Sequence, residues 1–425
     1  MFAQNGKTGK IDSSDPDSAT VVQFAINNLP STGGLVILQQ NIPTSTGTIT
    51  ISKSDVSLLC LKNNKKDLAT PRFGKLLIGN TSSVDVRRVT VVGIQFNECE
   101  ISAPDTNPDP NLRHDVENIL VDRCQFNNYG DAGRQAIRFT GFADIENILF
   151  SFCGVRLRAQ GAAWFGSFEA RSGANGHIKF DRCFFENVSG YTNVDSIVFQ
   201  PGGGLYGHTG TGLVFDSCSF VHIGGTPTGC TIVRLKGGGQ DAGPAQLVLS
   251  NCHFELQQAN ATFLVIDDNP GVGTYCSVFV ENPCITAASG KAYNWIVNNN
   301  TGTGSFIFGS CLSVIGGRSS PSPNAAWSLG TAGQSTNFKV IIADFIGFNS
   351  QGAATVNLPG VGPFTYTNDD GVYESLYVRG AITSIVKNGI TLFTSTPATV
   401  DLAPRESVTF SYPGPQAPIV VKDRK

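Results

Sequence analysis

The chain has 425 residues and 45.0 kDa, with 30 Lys+Arg against 33 Asp+Glu and a formal net charge of −3. Charged residues make up 15%, against about 25% in an ordinary soluble protein. With no Lys/Arg cluster, this low charge argues against nucleic-acid binding. Apolar runs such as Phe263-Leu264-Val265-Ile266 fall far short of the roughly 20 residues that span a bilayer, so no membrane insertion is expected. The residues after Met1 lack the apolar stretch of a secretion signal.

The first predicted element is a short helix within Asp15 to Leu29. Asp17 or Ser18 is placed to accept from its first free amides, and Val22, Ala25, Ile26 and Leu29 form one apolar face. Pro30 stops it, Gly33-Gly34 turns the chain, and Leu35-Val36-Ile37-Leu38 and Thr48-Ile49-Thr50-Ile51 follow as strands.

Further along, the cysteines mark a repeat. Ile119, Val121, Cys124 and Phe126 have offsets 0, 2, 5 and 7, and the same offsets recur around Cys153, Cys183, Cys218 and Cys252, more weakly around Cys311. The five clear copies are spaced by 29, 30, 35 and 34 residues. The two-residue step is a strand period. The three-residue step to cysteine makes a two-residue corner, such as Asp122-Arg123, Asp181-Arg182 or Asp216-Ser217. A third apolar run follows each copy, as in Ala136-Ile137-Arg138-Phe139 and Thr231-Ile232-Val233-Arg234-Leu235. Three strands and three corners in about 30 residues describe one coil of a parallel β-helix. Equivalent cysteines then stack about 4.8 Å apart as small buried hydrophobes. Eleven cysteines with no C-x-x-C pair suggest neither a disulfide framework nor a metal site, and no cofactor is expected.

After Phe338-Lys339-Val340-Ile341-Ile342 the repeat stops. Ser384-Ile385-Val386-Lys387, Asn388-Gly389 and Ile390-Thr391-Leu392-Phe393 read as a hairpin. The fold expected is all-β: a right-handed parallel β-helix solenoid with an N-terminal capping helix and a small C-terminal antiparallel β module. Its parts are 1–34 (cap), 35–350 (β-helix) and 351–425 (C-terminal module, antiparallel over 371–425), the last serving as cap or trimerisation segment.

The opening, Ala19-Thr20-Val21-Val22-Gln23-Phe24-Ala25-Ile26 then Leu29-Pro30, Gly33-Gly34 and a β run, resembles that of pectate-lyase-like right-handed β-helix proteins, viral tailspikes and capsule depolymerases among them. Gln40-Asn41-Ile42-Pro43 stands where that family carries an aromatic Gly-x-Tyr. The resemblance implies a virion-surface, tailspike- or fibre-like receptor-binding protein, homotrimeric, contacting host-surface glycans and other virion proteins. The alternatives are a glycoside hydrolase or polysaccharide lyase on the same scaffold, with an extracellular location as the alternative to the virion, and a cellular adhesin or coat protein. No separate N-terminal head domain is expected, since the β-helix opening begins near Met1.

Candidate catalytic groups are Glu169 and Asp195. Third strands of adjacent coils would leave them roughly 5 to 12 Å apart, against about 5 to 9.5 Å for glycosidase carboxyls. The fragments Asn193-Val194-Asp195, Gly207-His208, Arg234-Leu235-Lys236 and Asp267-Asp268 resemble polygalacturonase elements, but in the wrong chain order. Candidate glycan-binding residues are Trp164, Tyr191, Tyr206, His208, Arg234 and Lys236, which offer stacking surfaces and polar donors. The loops carrying most of them lie where the coils are longest.

Overall fold

The computed structural model describes residues 2–39, 42–60, 71–107, 109, 112–128, 136–141, 143–157, 165–170, 175–188, 195–199, 211–223, 231–236, 245–256, 262–267, 276–287, 292–298, 304–308, 313–316, 326–328, 338–342, 354–368, 373–403, 406–414 and 417–424. Of these, the strand segments within 157–176, 187–211, 222–230, 234–246, 256–278 and 285–354 are described by their backbone only.

The chain winds as a parallel β-helix. One face is an 11-stranded sheet running from Gly34–Leu38 to Phe338–Ile342, every neighbouring pair parallel. A second face stacks Gln125–Asn128, Gly154–Leu157, Phe184–Val188, Ser219–Ile223, His253–Leu256, Cys284–Ala287 and Ser313–Gly316. A third stacks Asp195–Phe199, Thr231–Lys236, Thr262–Asp267, Ala292–Asn298 and Ala326–Ser328. In the early coils the second and third strands are one. Gln95–Ala103 pairs at its start with Gln125–Asn128 and at its end with Ile137–Gly141.

Inward positions obey the two-residue period, and Phe73, Phe96, Phe126, Phe150, Phe180 and Phe215 are fully buried. Register puts Phe150, Phe180 and Phe215 one above another, with ring centroids 4.8 and 4.7 Å apart. Cys124, Cys153, Cys183, Cys218 and Cys252 form the expected ladder, each a buried thiol outside any disulfide. Each thiol also points at a carbonyl of the preceding coil: Cys153 Sγ lies 3.4 Å from Val121 O, and Cys218 Sγ 3.4 Å from Phe180 O. The sulfur thus fills core volume while offering a weak donor to a carbonyl at the bend. Burial pushes the Cys153 and Cys99 thiols up, which keeps them protonated and inert.

The corner before each cysteine is tighter than the two-residue step suggested. Asp122, Ser151, Asp181, Asp216 and Ser250 are still in register on the first face. A single residue in the left-handed region makes the turn: Gly93, Arg123, Phe152, Arg182, Ser217, Asn251 or Asn282 in successive coils. Its amide continues the inter-coil ladder, as in Arg123 N to Ser151 O at 2.8 Å.

The helix Ser18–Asn27 closes the N-terminal end, capped by Asp17, whose side chain accepts from Ala19 N. Val22 and Ile26 are buried in the solenoid core, with Ala25 and Leu29 packed against it. Gln23 does a second job. Its side-chain amide bonds both Thr50 N (2.7 Å) and Thr50 O (3.0 Å), pairing backbone groups at the open edge. Gly33 has φ +82°, and a Cβ there would lie 2.2 Å from Asp55 O, so only glycine fits. A small antiparallel pair, Phe2–Gln4 with Ile11–Ser14, precedes the helix.

At the other end, two four-stranded antiparallel sheets enclose a separate core of Leu376, Val378, Ile385, Val400, Leu402, Val408, Phe410 and Val420. Antiparallel pairing begins at Ala354–Val356 and Phe364–Thr367, ahead of 371. Asn388 and Gly389, with φ of 53° and 75°, turn the expected hairpin between Ser384–Lys387 and Ile390–Phe393, as a type I′ turn requires.

On another corner, Asp85, Asp115 and Asp144 stack in successive coils. Asp85 Oδ1 accepts from Asp115 N (3.0 Å), and Asp115 Oδ1 from Asp144 N (3.1 Å). Burial, and then the neighbouring carboxylates, raise Asp115 to about 6, although Arg87 and the backbone bond oppose the shift. Because the folded value exceeds the unfolded one, the native state binds the extra proton between about pH 4 and 6. Stability from this group is therefore present below pH 4 and lost as pH rises to 6. Asp115→Asn keeps the acceptor and removes the charge. The variant is expected to melt higher than wild type at pH 7 and to lack the fall in Tm between pH 4 and 6.5. An unchanged fall would assign it to other groups.

Candidate functional site

Some of the residues proposed from sequence fall among those the structure describes and others do not. Trp164, Tyr191, Tyr206 and His208 lie outside the described residues, as do Asp268 and the cysteine of the weak repeat copy, Cys311. Asp195, Arg234 and Lys236 lie in third-face strands, and Glu169 lies in Phe165–Ala170, which pairs with Ile137–Gly141; of these strand positions the backbone alone is described. Glu169 pairs with Thr140, Asp195 with Thr231, Arg234 with Val198 and Val265, and Lys236 with Asp267. The strands Phe165–Ala170 and Asp195–Phe199 are in contact. Among the described residues no group of three or more His, Cys, Asp or Glu is arranged to hold a metal ion.

A different site emerges where the first face bends into the second. Three consecutive coils place Arg123, Phe152 and Arg182 at the left-handed corner position. The next outward position holds Gln125, Gly154 and Phe184, in register. The one after that holds Asn127, Arg156 and Glu186, also in register. With rungs about 4.8 Å apart and outward residues about 6.6 Å apart along a strand, this patch spans roughly 10 by 13 Å. Gly154 is its centre. All its residues except Glu186 line a cleft of about 410 Å³.

Its walls are exposed and partly pre-ordered. Phe152 and Phe184 keep 47% and 40% of their surface. The Arg182 guanidinium lies 5.4 Å from the Phe152 ring centroid, a cation–π contact that holds both flat groups. Arg156 Nε sits 2.8 Å from Glu186 Oε2. Arg123 Nη1 is 3.7 Å from Asp122 Oδ2, and its side chain is 67% exposed, so that pair contributes little. Among the described residues the cleft lining carries three arginines and no carboxylate. It offers planar charged donors beside apolar rings, a combination suited to a ligand with an apolar face and an anionic edge.

Sequence reasoning noted Arg123 and Arg182 only as corner residues and passed over Phe152, Gly154 and Phe184. One signal was there to read: beside the cysteines, where other coils spend Gly, Ser or Asn, these three spend Arg, Phe and Arg.

No family model matches the sequence, and no curated protein matches it. Among solved structures, the chain is similar to the enzymatically active domain of tailspike protein 4 of bacteriophage CBA120 (15% identity over 99% of this chain and 67% of that one, TM-score 0.40). It is similar to the tailspike of Acinetobacter baumannii bacteriophage Fri1, a capsular polysaccharide depolymerase (11% identity, 97% and 83% covered, TM-score 0.28). It is also similar to a doubly substituted tailspike of E. coli bacteriophage HK620 (13% identity, 100% and 92% covered, TM-score 0.33). The assignment of a parallel β-helix rests on the strand pairing of the chain itself.

Proposed function

We propose that this chain is a virion-surface receptor-binding protein, tailspike- or fibre-like, whose β-helix flank contacts host-surface glycans. The observation that carries the reading is the set of exposed phenylalanines and arginines around Gly154 on a stiff ladder of backbone pairs. Aromatic stacking with planar polar donors is how proteins hold sugars. The virion location follows from the resemblance of the opening residues to those of tailspikes. In this reading 1–34 caps the shaft, 35–350 forms it, and 351–425 joins three copies. The trimer is supported by the edge strand Ile390–Phe393, which exposes Ile390, Leu392 and Phe393 in the single chain, an apolar patch suited to a second copy. Purified protein is expected to bind host cells, to block adsorption of the particle, and to lose both abilities once surface polysaccharide is stripped. Binding that survives stripping sinks the proposal.

A second reading, a hydrolase or lyase of such a polysaccharide, is favoured by the neighbouring strands that carry Glu169 and Asp195. One of the similar tailspikes is a capsular depolymerase. New reducing ends or unsaturated products, lost in Glu169→Gln or Asp195→Asn, would establish it.

A further inference from the structure

Gly154 is not there for the backbone's sake. It opens the strand Gly154–Leu157, its φ is outside the left-handed region, and an added Cβ would meet only Gln125 Cγ, at an ordinary 3.8 Å. Glycine in a strand loses more conformational freedom on folding than alanine would and often marks close approach of a ligand. Around it the chain accepts further local costs. Arginine and phenylalanine occupy left-handed corners at Arg123, Phe152 and Arg182, where a bulky side chain is disfavoured. Ser217, Asn251 and Asn282 fill the same corner in later coils. Two phenylalanines stand in solvent. Local rules broken together on one patch point to function.

The charge of the patch then selects the ligand. Arg182 makes no ion pair among the described residues, and its guanidinium is held against Phe152. Arg123 stands two rungs away in the same column, mostly exposed. Glu186, the one carboxylate of the patch, lies at the far corner and is engaged by Arg156. An anionic group is therefore favoured beside the corner column, and an apolar ring face above Gly154, between Phe152 and Phe184.

We infer that the Gly154 notch binds a carboxylate-bearing sugar residue of the host glycan, its carboxylate held by Arg123 or Arg182 and its ring seated on Gly154. The inference rests on the glycan-binding reading above and names the class of sugar recognised. Bidentate arginine–carboxylate pairing supplies the discrimination, because a neutral sugar leaves the guanidinium unpaired.

The test uses the full chain and an array of bacterial surface polysaccharides, each presented native and after reduction of its carboxyl groups to alcohols. Binding is expected only to uronate- or nonulosonate-bearing members, weakening about tenfold or more on carboxyl reduction and in 0.5 M salt. Gly154→Gln, which fills the notch, and Arg123→Gln/Arg182→Gln are each expected to weaken it by at least about tenfold while the melting curve stays in place. If Gly154→Gln unfolds, the exposed arginine pair decides. Hits confined to neutral, phosphorylated or sulfated glycans, or affinity untouched by these substitutions, overturn the inference and leave the receptor reading standing. Binding to no member, or equally to single-stranded nucleic acid, overturns both.

Discussion

Phe180→Ala is expected to lower stability by about 3–5 kcal/mol. Phe180 is 1% exposed, stacked between Phe150 and Phe215, and meets Phe185 edge-on at 5.9 Å. The lost burial and stacking are only part of the cost. Backbone pairing fixes the coils above and below, so the walls of the new cavity cannot close, and the residual void adds its own term. Phe73→Ala removes a ring with a looser contact, to Phe96 at 6.0 Å, in an early coil, and is expected to cost less. Denaturant midpoints and slopes for the two variants check this. Equal losses would show that transfer alone, and not the stack, sets the cost.

Lys422→Met is expected to destabilise the C-terminal module by about 3–5 kcal/mol. Glu374 is wholly buried, with Lys422 Nζ 3.1 Å from Oε1 and the Tyr366 hydroxyl donating to Oε2 at 2.6 Å. Lys422 Nζ also lies 5.6 Å from the Tyr366 ring centroid. Removing the ammonium takes this counter-charge from a buried carboxylate, whereas the double variant removes both charges. The double variant Lys422→Met/Glu374→Gln is accordingly expected to recover most of the loss in a thermal melt. A double variant as unstable as the single one would assign the cost to packing of the lysine stem. Because the module has its own core, its melting transition is the one to follow.

The repeat was legible because a β-helix writes its interior in a fixed code. The offsets 0, 2, 5 and 7 survive in every copy that bears a cysteine, and the structure stacks those positions in register. Two further copies carry no cysteine at that position. Val89, Val91, Ile94 and Phe96 carry the same offsets with isoleucine at the sulfur position, and Val278, Val280, Pro283 and Ile285 carry them with proline. The position asks for a small, water-excluding volume and not for sulfur. In the later coil Cys284 has moved one place along, to a partly exposed position. The helix cap, its buried face and the Asn388-Gly389 turn were legible for a similar reason: each is a local preference that agrees with its surroundings.

The cleft was not legible in that way. Arg123, Phe152 and Arg182 are about 30 residues apart in the chain, and outward positions carry no period, since water accepts almost any side chain. Only the inter-coil hydrogen bonds, which hold register while coil length drifts, make these residues neighbours. The amino-acid sequence by itself thus determined the coil, its inward ladder, its helical lid and its terminal hairpin, because burial and turn geometry restrict which residues can stand there. The tertiary structure decided which surface residues meet and that a glycine lies bare between them, because those contacts depend on register between distant windows and leave no mark on local composition.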